Sequence, residues 1–232
     1  MTSSPPILSV IFDCDGVLVD SEEIANRALA GLLTEAGLPT GYDEAVDTYR
    51  GRSMDAILEI AAERLGGPLP FDLSARYDET IEDEFQRDLK PIPGVVEALN
   101  RIDLPNCVAS NGGLQKMEVT LRITGMWERF EGRIFSADQV AAGKPAPDLF
   151  LHAAREMGFD PSTTAVVEDS SLGVEAARSA GMRVFAYASH TTSEELAAAG
   201  GHPFTDMADL PDLLLKPESA SPPSTRRTGC TR

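Results

Sequence analysis

Two aspartates stand two positions apart directly after the first apolar run of the chain, in the tetrapeptide Asp13-Cys14-Asp15-Gly16. A carboxylate at the end of a strand can act as the nucleophile of phosphoryl transfer and form an aspartyl-phosphate. The second carboxylate would lie on the same side, where it can protonate a leaving oxygen and then deprotonate water. Gly16 would let the backbone approach a phosphate closely. The same tetrapeptide also fits an ordinary β-turn, so it does not define a site by itself.

Polar residues follow two further predicted strands. Ser110-Asn111-Gly112-Gly113 comes after one strand and opens a helix. A hydroxyl and free backbone N–H groups there can bind an anion, although a plain helix cap is the alternative. Glu168 and Asp169 end another strand. Ligands of open α/β sheets bind outside the carboxyl ends of the strands, so these groups should converge with Asp13 and Asp15.

Four converging carboxylates would repel one another and favour protonation, and a divalent cation removes that repulsion. Mg²⁺ prefers oxygen ligands and also binds substrate phosphate, so the sequence predicts a Mg²⁺ site. Solvated loop acids, which are common in so acidic a chain, are the alternative. Lys144 lies between Gly143 and Pro145, which restrict its backbone. It can neutralise both the carboxylates and a transferring phosphoryl group, unless it is an ordinary solvated loop lysine.

Predicted strands alternate with predicted helices over most of the chain, which indicates βαβ units and a parallel sheet covered by helices on both faces. From residue 21 to about residue 86 the pattern is helical throughout. We therefore interpret residues 1–20 and 88–216 as an α/β core and residues 21–87 as a helical insertion after its first strand. Residues 217–232 are rich in Ser, Pro and Thr and are predicted to be a disordered tail. The predicted strands cover residues 7–12, 106–109, 133–136, 164–167 and 183–187.

Composition and charge exclude several classes of partner. The 232 residues fit one large domain or a core with an insertion. A net charge of −17 repels nucleic acid, and no apolar run reaches the ~18 residues that would cross a bilayer. Three dispersed cysteines and an N-terminus without a secretory pattern favour the cytoplasm. We expect a small-molecule phosphate ester as substrate, no nucleic acid or membrane partner, and a monomer or weak homodimer.

Taken in order, the motifs Asp13-Cys14-Asp15-Gly16, Ser110-Asn111, Lys144-Pro145 and Glu168-Asp169 resemble those of the haloacid dehalogenase superfamily. The resemblance covers about residues 7–215, and it implies a Rossmann-like core. The helical insertion is similar to the cap domain of the β-phosphoglucomutase-like branch. Within that branch the SNG-x-x-x-KM pattern of residues 110–117 resembles sugar-phosphate phosphatases of the 6-phosphogluconate phosphatase type.

The resemblance implies roles residue by residue. Asp13 would be the nucleophile and Asp15 the general acid and base, which also argues against carbon–halogen hydrolysis because dehalogenases lack that second aspartate. Asp13, the main-chain carbonyl of Asp15 and Asp169 would bind Mg²⁺, with Glu168 beside them. The phosphoryl group would be held by Ser110, Asn111 and Lys144, near Gly16.

The cap loop Arg50-Gly51-Arg52-Ser53 would close over the substrate, and its arginines suit a polar or carboxylate end; surface ion pairing is the alternative. β-Phosphoglucomutases carry a histidine where this chain has Ala25 and an arginine where it has Met54. Both departures favour a phosphatase over a sugar phosphomutase, which stays the alternative. A non-catalytic binding module is the third reading. The three histidines, Cys14, Trp127 and Phe130 are expected to be structural.

Overall fold

The structure is a computed structural model that describes residues 5–49, 52 and 54–215. Its centre is a six-stranded, all-parallel sheet with the strand order β3-β2-β1-β4-β5-β6. The expected α/β class with a parallel sheet is thereby confirmed. The strands are β1 (Ser9–Phe12), β2 (Asn106–Ser110), β3 (Ile134–Ser136), β4 (Thr164–Glu168), β5 (Arg183–Tyr187) and β6 (His202–Phe204).

Strand β1 occupies the middle of the sheet between β2 and β4. Its four residues are buried, as are all residues of β2 and β4. Such burial on both faces is what a nearly continuous apolar run specifies. Phe12 is in register with Val108 of β2 and with Val167 of β4, so these three strands end at almost the same level.

Helices cover both faces of this sheet. The helices are α1 (Glu22–Glu35), α2 (Tyr42–Tyr49), α3 (Met54–Leu65), α4 (Leu73–Asp88), α5 (Val95–Arg101), α6 (Leu114–Ile123), α7 (Trp127–Phe130), α8 (Asp148–Met157), α9 (Ser171–Ser179), α10 (Ser193–Ala199) and α11 (Leu210–Leu215). On one face of the sheet α5, α6 and α11 pack against Val10 and Phe12 of β1, and on the other face α8, α9 and α10 pack against Ile11. Short 3-10 turns lie at Ala137–Gln139, Pro161–Thr163 and Met207–Asp209.

Helices α1 to α4 follow β1 without an intervening strand among the described residues, as the sequence predicts. They share an apolar cluster of their own, which includes Leu33, Tyr49 and Leu73. The two connections to the sheet run side by side, because the Asp20 amide donates to the Lys90 carbonyl at 2.9 Å and the Ile92 amide to the Leu18 carbonyl at 3.0 Å. The chain therefore leaves and re-enters the core at a single place.

The structure adds elements that the sequence patterns do not indicate. The edge strand β6 consists of three residues, and its central Pro203 cannot donate to a ladder, so no alternation is visible. Helices α7 and α11 are too short to show a clear helical period. Within the described part of the chain, no helix has both the length and the apolar composition that a membrane span needs.

Candidate active site

The functional candidates follow the carboxyl ends of three adjacent strands. Asp13 comes directly after β1, Ser110 is the last residue of β2, and Glu168 is the last residue of β4. Asp13 is held in line with the sheet because its amide donates to the carbonyl of Val167 at 2.9 Å. The predicted convergence at one edge of the sheet is therefore present for these three groups.

Three carboxylates form the centre of this site. One oxygen from each of Asp13, Glu168 and Asp169 lies within 4.8 Å of the others, and all three residues are buried. Burial raises the pKa of Asp13 to about 6, and the charge of Glu168 raises it while Lys144 opposes the shift. Burial and the nearby charge of Glu168 also raise the pKa of Asp169 well above its usual range. The cluster therefore carries unbalanced negative charge.

Lys144 is the cation of the cluster. Its ammonium contacts Asp13 Oδ1 at 2.8 Å and Glu168 Oε1 at 2.6 Å, and its side chain is only 4% exposed. The nitrogen also lies 4.8 Å from the centre of the Phe150 ring. Burial lowers the pKa of Lys144, but the two carboxylates more than offset this and raise it above its usual range. Lys144 is therefore an enclosed group paired with two carboxylates and not a solvated loop lysine.

Glu168 is fixed at both carboxylate oxygens. Oε1 accepts from Lys144, and Oε2 accepts at 2.9 Å from the amides of Asp169 and Ser170 and from the Ser170 hydroxyl. Gly173 of α9 makes room for this carboxylate, since a Cβ at that position would lie 1.8 Å from Oε1. Glu168 thus orients Lys144 and the start of α9, and its oxygens are less available as metal ligands than those of Asp13 and Asp169.

The donor set fits a hard divalent cation. All candidate ligands are oxygens, which suits Mg²⁺, and the raised pKa values of Asp13 and Asp169 reflect charge that a cation would balance. Gly16 has a φ of 75° and leaves space beside Asp169, because a Cβ there would lie 2.1 Å from Asp169 Oδ2. Only a residue without a side chain fits this position.

Asp15 is held by two groups whose part in the site was not predicted. The Ser21 hydroxyl donates to Oδ1 at 2.5 Å, and the Lys116 ammonium contacts Oδ2 at 2.8 Å. Burial alone would raise the pKa of Asp15, but Lys116 and the Ser21 hydrogen bond lower it below its usual range. Ser21 directly precedes α1, where a serine often caps the helix, yet it makes no side-chain cap bond because its hydroxyl donates to Asp15.

The predicted phosphoryl-binding residues lie next to this acid. Ser110 is buried, and its Oγ accepts from the Gly112 amide at 3.3 Å. The Asn111 side chain holds the Lys144 backbone, since Oδ1 accepts from the Lys144 amide at 2.9 Å and Nδ2 donates to the Lys144 carbonyl at 3.2 Å. The Asn111 side chain therefore supports Lys144, and its own backbone remains the group that can face a phosphate.

A cavity of about 850 Å³ connects these residues with the helical segment. Asp13, Asp15 and Lys144 line it from the sheet, and Arg52, Met54 and Tyr77 line it from α1 to α4 and their loops. Arg52 is exposed, and its Nε donates to the Thr48 carbonyl at 2.7 Å. The other members of the predicted cap loop, Arg50, Gly51 and Ser53, lie outside the described residues. Ala25 lines the same cavity.

Four of the residues expected to be structural pack in or against the apolar parts of the core. Cys14 is buried in the apolar core, and this burial, together with the charges of Asp15 and Asp13, raises its pKa well above the usual range. Phe130 is buried and Trp127 packs beside it. His152 packs edge-on against Phe135 at 5.5 Å between ring centres.

Comparison with known proteins identifies the family of the chain. The family model of haloacid dehalogenase-like hydrolases matches residues 10–187. The 6-phosphogluconate phosphatase of Escherichia coli K12 is 31% identical over 208 residues, which are 89% of this chain and 94% of that protein.

Two solved structures illustrate the agreement of the fold. A haloacid dehalogenase-like protein of unknown function from Agrobacterium tumefaciens superposes with a TM-score of 0.79 at 38% identity, covering 90% of this chain and 97% of that one. A putative β-phosphoglucomutase from Thermotoga maritima superposes with a TM-score of 0.74 at 28% identity, covering 90% and 98%.

Buried carboxylates and a lysine lie together at the carboxyl edge of a parallel sheet, and one of the carboxylates belongs to the aspartate directly after the first strand. These are the features of a class of hydrolases. The chain belongs to the haloacid dehalogenase-like hydrolases. The resemblance seen in its motifs is thereby confirmed, including the likeness to β-phosphoglucomutase-like structures.

Proposed function

We propose that this protein is a Mg²⁺-dependent phosphatase that hydrolyses small phosphorylated metabolites, sugar phosphates or phosphosugar acids, through an aspartyl-phosphate. The observation that carries the proposal is the pair of aspartates with separate surroundings. Asp13 contacts Lys144 in the carboxylate cluster, whereas Asp15 contacts Lys116 and Ser21 at its border. Two carboxylates in different surroundings suit a nucleophile and an acid–base group.

The reaction would proceed in two steps. Asp13 attacks phosphorus, and the bond to the ester oxygen breaks as Asp15 gives that oxygen a proton. Water then attacks the phospho-aspartate while Asp15 takes up the water proton, which releases phosphate and restores the Asp13 carboxylate. Asp15 passes this proton to the departing phosphate and becomes a carboxylate again. Because the pKa of Asp15 lies below its usual range, Asp15 is a carboxylate in the free site, which is the form that can accept the water proton in the second step. The proton for the first step enters with the ester, whose phosphate binds a proton near pH 6.

The charge on the transferring group would be offset from two sides. Lys144, between Asp13 and Glu168, and the backbone amides after Ser110 face the phosphoryl group in this proposal. Asp13 and Asp169, with the Asp15 carbonyl, would hold Mg²⁺. Bound there, the ion supplies charge stabilisation for the phosphoryl oxygens and balances the carboxylates.

We further propose that α1 to α4 act as the cap. The cavity is lined from both the sheet and this segment, and the paired connections near residues 19–21 and 87–91 form a narrow joint. Movement at this joint would exclude bulk water and select the substrate. The relative named as a 6-phosphogluconate phosphatase covers nearly the whole chain, which supports a phosphorylated sugar or sugar acid as the substrate class.

The sugar phosphomutase is the alternative reading, because two of the structural neighbours are described as putative β-phosphoglucomutases. Ala25 and Met54, which stand where those mutases carry a histidine and an arginine, both line the cavity. An alanine and a methionine cannot bind a second phosphate by charge. This observation favours the phosphatase.

The test is phosphate release from a panel of sugar phosphates and phosphosugar acids, with Mg²⁺ and with EDTA. We expect Mg²⁺-dependent release by the wild type and a loss of at least about 1000-fold in Asp13→Asn, as for removal of a covalent nucleophile. Asp103→Asn, an exposed aspartate before β2, is the matched control and should retain activity.

Three other results would contradict the proposal. Wild-type hydrolysis that persists in Asp13→Asn would remove the nucleophile assignment. Isomerised sugar phosphate with little free phosphate would identify a mutase. Ligand binding without turnover, unchanged by Asp13→Asn, would identify a non-catalytic binding module.

A further inference from the structure

The cavity contains a second lysine, to which the proposed chemistry gives no contact with the substrate. Lys116 lies near the start of α6, and Met117, Thr120 and Leu121 of the same helix are buried against the core. Lys116 points the other way, into the cavity, and its ammonium contacts Asp15 Oδ2 at 2.8 Å. The contact joins α6 to the loop after β1.

The two lysines of the cavity differ in how exposed they are and in how many carboxylates they contact. Lys144 has a 4% exposed side chain and contacts two carboxylates, Asp13 and Glu168. Lys116 has a 41% exposed side chain, and the carboxylate it contacts is that of Asp15. An ammonium has three N–H donors, so Lys116 can keep Asp15 and still bind an anion that enters the cavity.

Lys116 also lies close to where an ester would react. A Cβ on Gly112 would be 3.5 Å from Asp15 Oδ2, 3.7 Å from Ser110 Oγ and 3.8 Å from Lys116 Cδ, so these groups meet around this glycine. The leaving oxygen must come within about 3 Å of Asp15 to receive its proton. Because the Lys116 ammonium lies 2.8 Å from Asp15 Oδ2, it would lie within about 6 Å of the leaving oxygen.

We propose that Lys116 binds a carboxylate carried by the leaving group, and that this contact makes phosphosugar acids better substrates than neutral sugar phosphates. The inference rests on the proposed phosphatase function and names the substrate class within it. Glu22 and Asp78 also line the cavity, and their negative charges repel such an acid. The Lys116 ammonium offsets this repulsion, and the acid binds only where a cation does so. The charge-assisted contact supplies the discrimination.

Arg52 is the competing cation. It lines the same cavity from the helical segment, where its Nε donates to the Thr48 carbonyl. Lys116 is favoured because it contacts the acid that must approach the leaving group, whereas Arg52 is attached to the far wall. The two assignments are separated by mutating each cation in turn.

The experiment uses two open-chain esters that differ only at the end remote from phosphate. 6-Phosphogluconate ends in a carboxylate and sorbitol 6-phosphate in a hydroxymethyl group. With Mg²⁺ present, kcat/KM for each is measured in the wild type, Lys116→Met, Lys116→Arg and Arg52→Met. Arg122→Gln removes one positive charge from the same helix, on the side where Arg122 lies over Trp127, and is the control.

We expect Lys116→Met to lower the acid-to-alcohol ratio of kcat/KM by about 10-fold or more, as for loss of a hydrogen bond to a charged group. Lys116→Arg should restore much of the ratio, and Arg122→Gln should not change it. An equal fall for both esters would overturn the inference, since Lys116 would then act only through Asp15. A ratio that follows Arg52→Met instead would overturn it as well.

Binding separates this inference from the proposed function. Calorimetry with Asp13→Asn measures the affinity for both esters without turnover, and Asp13→Asn/Lys116→Met gives the matched comparison. Preference for the acid that depends on Lys116 supports the inference even if the wild type releases no phosphate, a result that would defeat the proposed function alone. Equal affinities for the two esters would defeat the inference even if both are hydrolysed.

Discussion

Glu168 illustrates how much of this site depends on groups that never meet the substrate. Its carboxylate is completely buried and accepts from Lys144, Asp169 and Ser170, with Gly173 beneath it. A buried charge is tolerated only when it is paired and hydrogen-bonded. The position of Lys144 therefore depends on Gly173 of α9 having no side chain.

Gly173→Ala tests this dependence. Its new Cβ would collide with the Glu168 carboxylate, which cannot move without losing several hydrogen bonds. We expect a loss of about 1–3 kcal/mol in the free energy of unfolding, as for overpacking, together with a strong loss of phosphatase activity. Urea denaturation and phosphate release measure the two effects.

Gly31→Ala in α1 is the matched control. A Cβ at Gly31 meets no atom within 4 Å, so this substitution should stabilise the protein by about 0.5–1 kcal/mol and leave activity unchanged. Equal behaviour of the two alanine variants would contradict the role assigned to the space under Glu168.

At the level of single residues, sequence reasoning found the groups that carry obvious chemistry and missed their partners. Asp13, Glu168 and Asp169 are expected together because they follow predicted strands, and Lys144 is expected with them because Gly143 and Pro145 restrict its backbone. Ser21 and Lys116 were missed because a serine before a helix normally indicates a cap and a lysine on a helix normally faces solvent. Lys116 was nevertheless visible within the SNG-x-x-x-KM pattern of residues 110–117.

Among the elements, α1 begins beside the site that the helical segment is proposed to cover. Ser21 precedes this helix, is buried, and donates to Asp15. The hydrogen bond links the entry of the helical segment to the proposed general acid. Any displacement of α1 would therefore be transmitted directly to Asp15.

Ser21→Ala should reduce kcat more than it reduces stability. Loss of a hydrogen bond to a charged group corresponds to about 1.5–3 kcal/mol, or about 10- to 100-fold in rate if Asp15 is no longer oriented. Steady-state kinetics and thermal unfolding measure the two quantities. Thr80→Ala removes a hydroxyl that donates to Arg76 within α4 and should alter kcat little. A wild-type kcat in Ser21→Ala would exclude the positioning role.

Elements with a clear local sequence pattern were predicted well, and marginal ones were not. The strand Arg183–Tyr187 has the bounds expected from its sequence, because its nearly continuous apolar run defines it locally. The edge strand β6 depends on pairing with β5, where Pro203 is opposite Ala186. Such pairing is a tertiary effect, and a sequence of three residues is too short to predict it.

For the molecule as a whole, the carboxylate cluster affects stability as well as chemistry. The pKa of Asp13 is raised to about 6 in the folded protein from an ordinary value of 3.8, chiefly by burial. The folded state then binds more protons than the unfolded state between these values. Stability from this group is greatest below about pH 4 and is lost as the pH rises through 6.

We therefore expect Asp13→Asn, in EDTA, to gain stability relative to the wild type as the pH rises from 4 to 7, by up to about 3 kcal/mol. Mg²⁺ should reduce this difference, because the cation balances the carboxylate that the variant lacks. Urea denaturation at several pH values measures it, with Asp103→Asn as the control. A difference in stability that is independent of pH would show that Asp13 is not the group whose pKa is raised on folding.

The side-by-side connections between the sheet and α1 to α4 have a consequence for the evolution of the protein. Val19 forms a bridge with Pro91, so the two ends of the helical segment are neighbours. A segment attached in this way can lengthen, shorten or be exchanged without any strand changing its place. Substrate preference can therefore diverge among descendants of one ancestor while the phosphate-handling machinery is inherited intact.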